Sequence, residues 1–460
     1  MKRTILTLFV LTAFLQLSCQ TSDLRRKTSL GVMLELVNDS LAAVHKTTPG
    51  KGLYIRSVVD GSTAEGMKIK AGDIITELNE APINTIQDIL SEVGKYRAGD
   101  QLVVKLYRGG KLKTVKGKAV ARPQEQSEIA DVHYGSVEYE GNRLRTMLHV
   151  PKGKEKPPVV FFIQGYPCQS VDLAFAQESP TRKMVDQWVK AGFAVYRIEK
   201  PGMGDSDSKK SCLELNFEEE IETFRNGYKD LESNPKIDPD NIFIFGHSIG
   251  GIIAPILGSE FKPKGIITYG TVINTWFEYM QELTRVQGVY FNSPDSVVEM
   301  DIRNATPFWY EMLVAQKSNE EILKNAEIRQ MLEAEGSLKS FEQGQFIHRH
   351  YTYWSGIQNL NLTRYWSQVE SQVLALYGEF DIQALHANHI YAIERTVNHS
   401  HPGKAKAEVI RGADHGFVRF ESMEANVQTL NKGQYGIYSR QHYHEGVAQS
   451  TIQWMQSHLK

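Results

Sequence analysis

Ile242-Phe243-Ile244-Phe245-Gly246-His247-Ser248-Ile249-Gly250-Gly251 is the stretch on which the reading of this 460-residue chain turns. Four bulky apolar residues in a row read as a buried strand, residues 252–257 beyond them as a helix, and the glycines between as the bend that joins the two. A serine at the centre of G-x-S-x-G on such a bend is projected away from the backbone, because only small neighbours fit so tight a turn. The helix N-terminus beneath it supplies N–H groups and a positive dipole end where negative charge develops in acyl transfer.

A serine hydroxyl is a weak nucleophile unless a base takes its proton, so a histidine oriented by a carboxylate is required elsewhere. Downstream, the apolar run 373–377 ends in Gly378-Glu379-Phe380-Asp381, which puts Asp381 at the C-terminal mouth of a strand. Val409-Ile410 then leads into Arg411-Gly412-Ala413-Asp414-His415-Gly416-Phe417, with His415 on the following loop. Residues 159–163 and 193–198 also read as buried strands, and Phe217, Ile221, Phe224, Tyr228 and Leu231 share one face of a helix. Strands alternating with amphipathic helices argue an α/β sheet covered on both faces over residues 130–460.

These motifs resemble the α/β-hydrolase superfamily across the whole of that region. The resemblance implies the order nucleophile, acid, base: Ser248, Asp381, His415, with Glu379 and Asp414 as rival acids lying beside the matching position. It implies an oxyanion hole from the N–H of Ile249 and one from Gln164-Gly165-Tyr166-Pro167, where Tyr166 is the favoured donor and Gln164 replaces the family's usual histidine. His247 is expected to pack or orient beside the nucleophile, and the loop Pro201-Gly202-Met203-Gly204-Asp205-Ser206 to shape the floor of the site. Residues 271–368 stand where a short connection is usual; helical in pattern and rich in aromatics, they are expected to form a lid, with most of the aromatics building its own core.

The N-terminal third reads differently. Short β-type runs at 30–36, 52–59, 73–78 and 101–107 are punctuated by glycine, and Ile86, Ile89, Leu90 and Val93 form a helical pattern, giving a small α+β unit over residues 28–121. Ser29-Leu30-Gly31-Val32, Ser62-Thr63-Ala64-Glu65, Ala71-Gly72-Asp73-Ile74-Ile75 and Arg108-Gly109-Gly110 resemble bacterial, protease-associated PDZ domains. The resemblance implies that the loop Leu30, Gly31 and Val32 receives the C-terminal carboxylate of a peptide, with Ile86 and Leu90 in the groove wall; the alternative is a domain that only packs against or gates the hydrolase. Polar stretches at 22–27 and 124–127 read as linkers.

Met1-Lys2-Arg3 followed by an apolar run ending at Leu17-Ser18-Cys19 has the charged start and short core of a secretory signal over residues 1–19. It resembles a bacterial lipoprotein signal, which implies lipidation of Cys19 and an exported, periplasmic or outer-membrane protein held to the membrane by its anchor. Cys168 and Cys212 are the other cysteines; an exported compartment permits a bridge between them, and two partly buried free thiols are an equal reading. A hydrophobic share of 41% and a net charge of −2 are those of a globular protein with no pull towards nucleic acid. The pairs His348/His350 and His442/His444 lack the converging ligands of a zinc site, so neither metal nor cofactor is expected. The sequence thus reads as a serine hydrolase acting on carboxylic esters. A serine peptidase of the prolyl-oligopeptidase type, or a PDZ-based binding protein with a vestigial hydrolase, are the alternatives.

Overall fold

The computed structural model describes residues 24–459; Cys19 and the signal segment lie outside them. The C-terminal domain is built on an eight-stranded sheet ordered 405–410, 372–378, 265–269, 242–247, 159–163, 194–198, 142–151, 130–139. Its strands run parallel from Ala405–Ile410 through Ala194–Ile198, and Asn142–Pro151 and Ala130–Tyr139 close it as an antiparallel pair. The parallel strands are apolar on both faces because both are covered. Phe161, Ile244 and Ile266 belong to the core beneath helices Phe217–Glu232 and Gly250–Phe261, while Phe162, Phe245 and Ile267 pack with Trp188 and Met455 on the other side. The α/β-hydrolase fold follows from that layering, and its strand ends set out the site.

Helices from Trp276–Tyr290 to Leu362–Gln368 fill the connection between the strands Gly265–Tyr269 and Gln372–Gly378. Phe308, Trp309 and Tyr353 are buried in this helical insertion, whereas Trp276, Tyr279 and Trp354 also face a cavity over Ser248. No described helix is long and apolar enough to cross a membrane.

The N-terminal domain is a PDZ fold: an antiparallel sheet ordered 32–36, 53–58, 74–78, 101–108, 111–118, with helix Ile86–Val93 beside it. Its sequence segments meet in pairs. A Cβ on Gly31 would lie 2.3 Å from the Ser62 Cβ, so that glycine is dictated by contact. Arg108 grips Asp73 through two nitrogens, at 2.7 and 2.5 Å. The strand Lys111–Lys118 is absent from the sequence reading because its alternation of lysine and small residues carries little apolar signal.

Neither polar stretch behaves as a free tether. Arg26 bonds Asp172 at 2.6 Å and Asp205 at 2.7 Å, and the Lys27 N–H donates to Asp205 at 2.7 Å. Glu125 is fully buried and takes both Arg197 nitrogens at 3.0 Å. These residues are polar because they fill ion pairs, and composition alone cannot separate that from solvation. The loop 201–206 therefore docks the PDZ unit through Asp205.

Cys168 and Cys212 form a disulfide, with Cα atoms 5.8 Å apart, which resolves the open choice between thiols and a bridge. It closes a 44-residue separation and fastens the loop after the strand Val159–Ile163 to the segment before helix Phe217–Glu232. Replacing both cysteines with serine is expected to lower stability by about 2–4 kcal/mol, read as a lower urea midpoint for the tryptophan-rich hydrolase domain under non-reducing conditions.

Candidate active site

Ser248 has φ of +55°, a left-handed conformation that a non-glycine residue adopts only when its surroundings impose it. They do so through contact: a Cβ on Gly250 would lie 2.2 Å from the Ile163 carbonyl, and one on Gly246 2.4 Å from the Gly250 carbonyl. The Ser248 N–H donates to the Tyr269 carbonyl at 2.9 Å, pinning the elbow to the next strand.

His415 Nδ1 donates to Asp381 Oδ2 at 2.8 Å. The other Asp381 oxygen accepts the N–H groups of Gln383 at 2.7 Å and Ala384 at 2.8 Å, so the buried carboxylate has fixed partners on both oxygens. Burial opposes ionisation of both groups, yet each shifts the other: Asp381 is held below the usual carboxylate range and His415 above the usual imidazole value. Gly270 abuts both, since its Cβ would lie 2.7 Å from Asp381 Oδ2 and 2.8 Å from His415 Nδ1. The rival acids do other work. Glu379 accepts from the Gly412 N–H at 2.8 Å, and Asp414 takes the N–H groups of Gly416 and Val418 and the Tyr435 hydroxyl. His247 donates from Nε2 to the His415 carbonyl at 2.8 Å, and burial keeps its ring neutral, with a pKa pushed down to about 3.

Ser248, His415, Ile249 and Tyr166 line one cavity of about 530 Å³, with Asp381 behind His415. Among the described residues, the N–H groups of Ile249 and Tyr166 donate to no protein acceptor. A network missed in the sequence orients the second. Glu220 is buried and binds Lys200 at 2.9 Å, Arg349 at 2.7 Å and the Tyr353 hydroxyl at 2.9 Å. Lys200 donates onward to the Gly165 carbonyl at 2.7 Å, and Arg349 to the Tyr166 carbonyl at 2.7 Å. The peptide joining Gly165 to Tyr166 is trans, so drawing its carbonyl to Lys200 turns the Tyr166 N–H the opposite way. Charged residues at the end of an apolar strand, Glu199 and Lys200, were the available signal.

The remaining sites fall apart from this cavity. Leu30, Gly31 and Val32 lie in the PDZ domain, where Ile86 and Leu90 are exposed. His442 and His444 are committed to main-chain carbonyls, of Tyr438 and Arg411.

A PDZ domain family matches residues 28–118, and the family described as serine aminopeptidase, S33 matches residues 179–416. The chain belongs to the S33 family. It is a serine hydrolase with an N-terminal PDZ domain. The chain is 30% identical over 149 residues to the periplasmic serine endoprotease DegP of Escherichia coli K12, covering 32% of this chain and 30% of that protein. The DegP of Salmonella typhimurium is 30% identical over 135 residues, 29% of this chain and 27% of that protein. The chain thus spans less than a third of the length of these curated relatives. Among solved structures, Est1E from Butyrivibrio proteoclasticus with ferulic acid bound aligns at 14% identity and a TM-score of 0.39, covering 65% of this chain and 98% of that one. The Pyrococcus furiosus esterase Pf2001 aligns at 15% and 0.40, covering 72% and 97%.

Glu220→Gln leaves two buried cations without their counter-charge, and is expected to cost about 3–5 kcal/mol of stability. Lys200→Met frees the Gly165 carbonyl, and steady-state kinetics should show a loss in kcat larger than any change in KM.

Proposed function

We propose that this S33 hydrolase cleaves carboxylic esters by way of an acyl-enzyme. Ser248 Oγ attacks the carbonyl carbon while His415 Nε2 takes its proton, and Asp381 holds the ring by Nδ1 and stabilises the imidazolium. The oxyanion is received by the N–H groups of Ile249 and Tyr166. Collapse breaks the bond to the leaving alkoxide, which takes the proton from His415; water then repeats the sequence and releases the acid. The observation that carries this reading is the 2.8 Å pairing of His415 with Asp381 beside an elbow serine.

Ester rather than peptide chemistry is favoured by the cavity's character. Apart from His415, every side chain lining it is apolar or uncharged, the neutral His247 included, and Trp276, Tyr279, Met280, Leu283 and Trp354 form much of the wall. Such a wall suits an uncharged acyl group, while the ammonium of a peptide N-terminus needs a carboxylate or carbonyl cage. A serine peptidase is the second reading, supported by the description of the matching family.

The PDZ domain, in this reading, takes a protein C-terminus on the loop Leu30, Gly31 and Val32. The strand Val32–Leu36 lies at the sheet edge, ready for an added strand; Met33 within it, and Ile86 and Leu90 on the helix Ile86–Val93, are exposed. Export is supported by the periplasmic setting in the names of the DegP relatives, and anchoring through a lipidated Cys19 by the N-terminal sequence alone.

Activated esters of increasing acyl length and aminoacyl anilides, compared on wild type and Ser248→Ala, test the reaction. Serine-dependent turnover is expected for esters, and anilide turnover exceeding it would replace the reading with the peptidase. Because the base must be neutral, kcat/KM should rise with pH through a limb above the usual imidazole value of about 6.5. In Asp381→Asn that limb should move to lower pH, with kcat down by on the order of 10⁴.

A further inference from the structure

Away from Ser248, the lid helix Trp276–Tyr290 crosses the chain that follows Asp381, and three side chains converge there. Glu282 comes from the lid helix, His386 from the loop and His389 from the first turn of helix Asn388–Ser400. One ligand atom from each lies within 4.8 Å of the others. His386 Nε2 is 2.5 Å from Glu282 Oε1, and His389 Nε2 is 3.5 Å from Oε2. With the two rings stacked at an interplanar angle of 11°, both Nε2 atoms face the same carboxylate.

The hydrogen bonding at this crossing is incomplete. His389 is only 2% exposed, yet its Nε2 has no hydrogen-bond partner, the 3.5 Å approach to Glu282 not amounting to one. An orphaned buried ring nitrogen is costly, and a cation shared among the three groups would use its lone pair. Two imidazoles and one carboxylate are a known donor set for zinc, leaving an open position for water. Tetrahedral coordination places such donors about 3.4 Å apart, within the spread found here. Asn274 Nδ2 donates to Glu282 Oε2 at 3.3 Å and steadies the carboxylate from behind. His386 and Glu282 are partly exposed, so an ion reaches them from solvent.

We propose that Glu282, His386 and His389 form a divalent transition-metal site of zinc type that fastens the lid helix to the loop carrying Asp381. The seam is already tight: Tyr279 and Gln287 of the same helix donate to the carbonyls of Gln383 at 3.0 Å and Ile382 at 2.9 Å. An ion there adds a bond between the wall of the cavity and the support of Asp381, without touching the reacting atoms. The proposal is independent of which bond the serine cleaves.

Purified protein stripped with chelator and dialysed would be titrated with Zn²⁺ by calorimetry. One ion per chain is expected, with binding weakened at least about tenfold in Glu282→Gln and in His389→Gln, and unchanged in His442→Gln. Zn²⁺ should raise the melting temperature of wild type and leave that of Glu282→Gln unmoved. No saturable binding to wild type, or wild-type affinity retained in both variants, overturns the site. Should His389→Gln fail to fold, X-ray absorption at the zinc edge of wild type decides: a shell of two imidazoles with oxygen supports the assignment, and one without imidazole overturns it.

Discussion

The buried carboxylate of Glu220 is the constraint on which the candidate site depends. Taking three ionised groups out of water costs several kcal/mol each, and the arrangement holds only because almost every donor and lone pair is used. Lys200 and Arg349 meet Glu220 with one part of their charge and spend the rest on the carbonyls of Gly165 and Tyr166. A strand end, a helix, the lid hairpin formed by Gln345–Phe346 and Arg349–His350, and the loop facing Ser248 thus share one electrostatic centre. Moving any of them uncovers a charge, so the loop is rigid without a secondary structure of its own.

The lid is accordingly less an independent flap than a second wall of the same construction. Its hairpin supplies Arg349 to the Tyr166 carbonyl, and its first helix lies across the carbonyls that follow Asp381. Between these attachments Ile347, at the hairpin turn with φ of +44°, reaches the cavity. A β-branched residue in that conformation is held there by the strands on either side.

Much of this was readable in the sequence where the signal is local. The elbow, the buried strands and the loops holding Asp381 and His415 show themselves because apolar runs and glycine turns lie within a few residues of each other. The PDZ unit was readable for a similar reason, its paired contacts being Gly31 with Ser62 and Asp73 with Arg108. Long-range polar pairing left far less trace: Lys200, Glu220 and Arg349 are separated by 20 and 129 positions, and beyond the place of Lys200 at the end of an apolar strand each reads as an ordinary surface charge. Glu125 was misread for the opposite reason, since a polar tetrapeptide between domains looks solvated until its ion pair with Arg197 is seen. The bridge between Cys168 and Cys212 could be permitted by the sequence but not placed by it.

The two fastened linkers carry a consequence for inheritance. A domain joined by a loose tether can be lost, doubled or exchanged between genes with little effect on its neighbour. Here excision before residue 124 would strip Asp172 of Arg26, and a cut a few residues later would leave the buried Arg197 guanidinium without Glu125. Recombination at either junction therefore damages the hydrolase as well as removing its companion. The two domains are constrained to descend together, as one unit of selection.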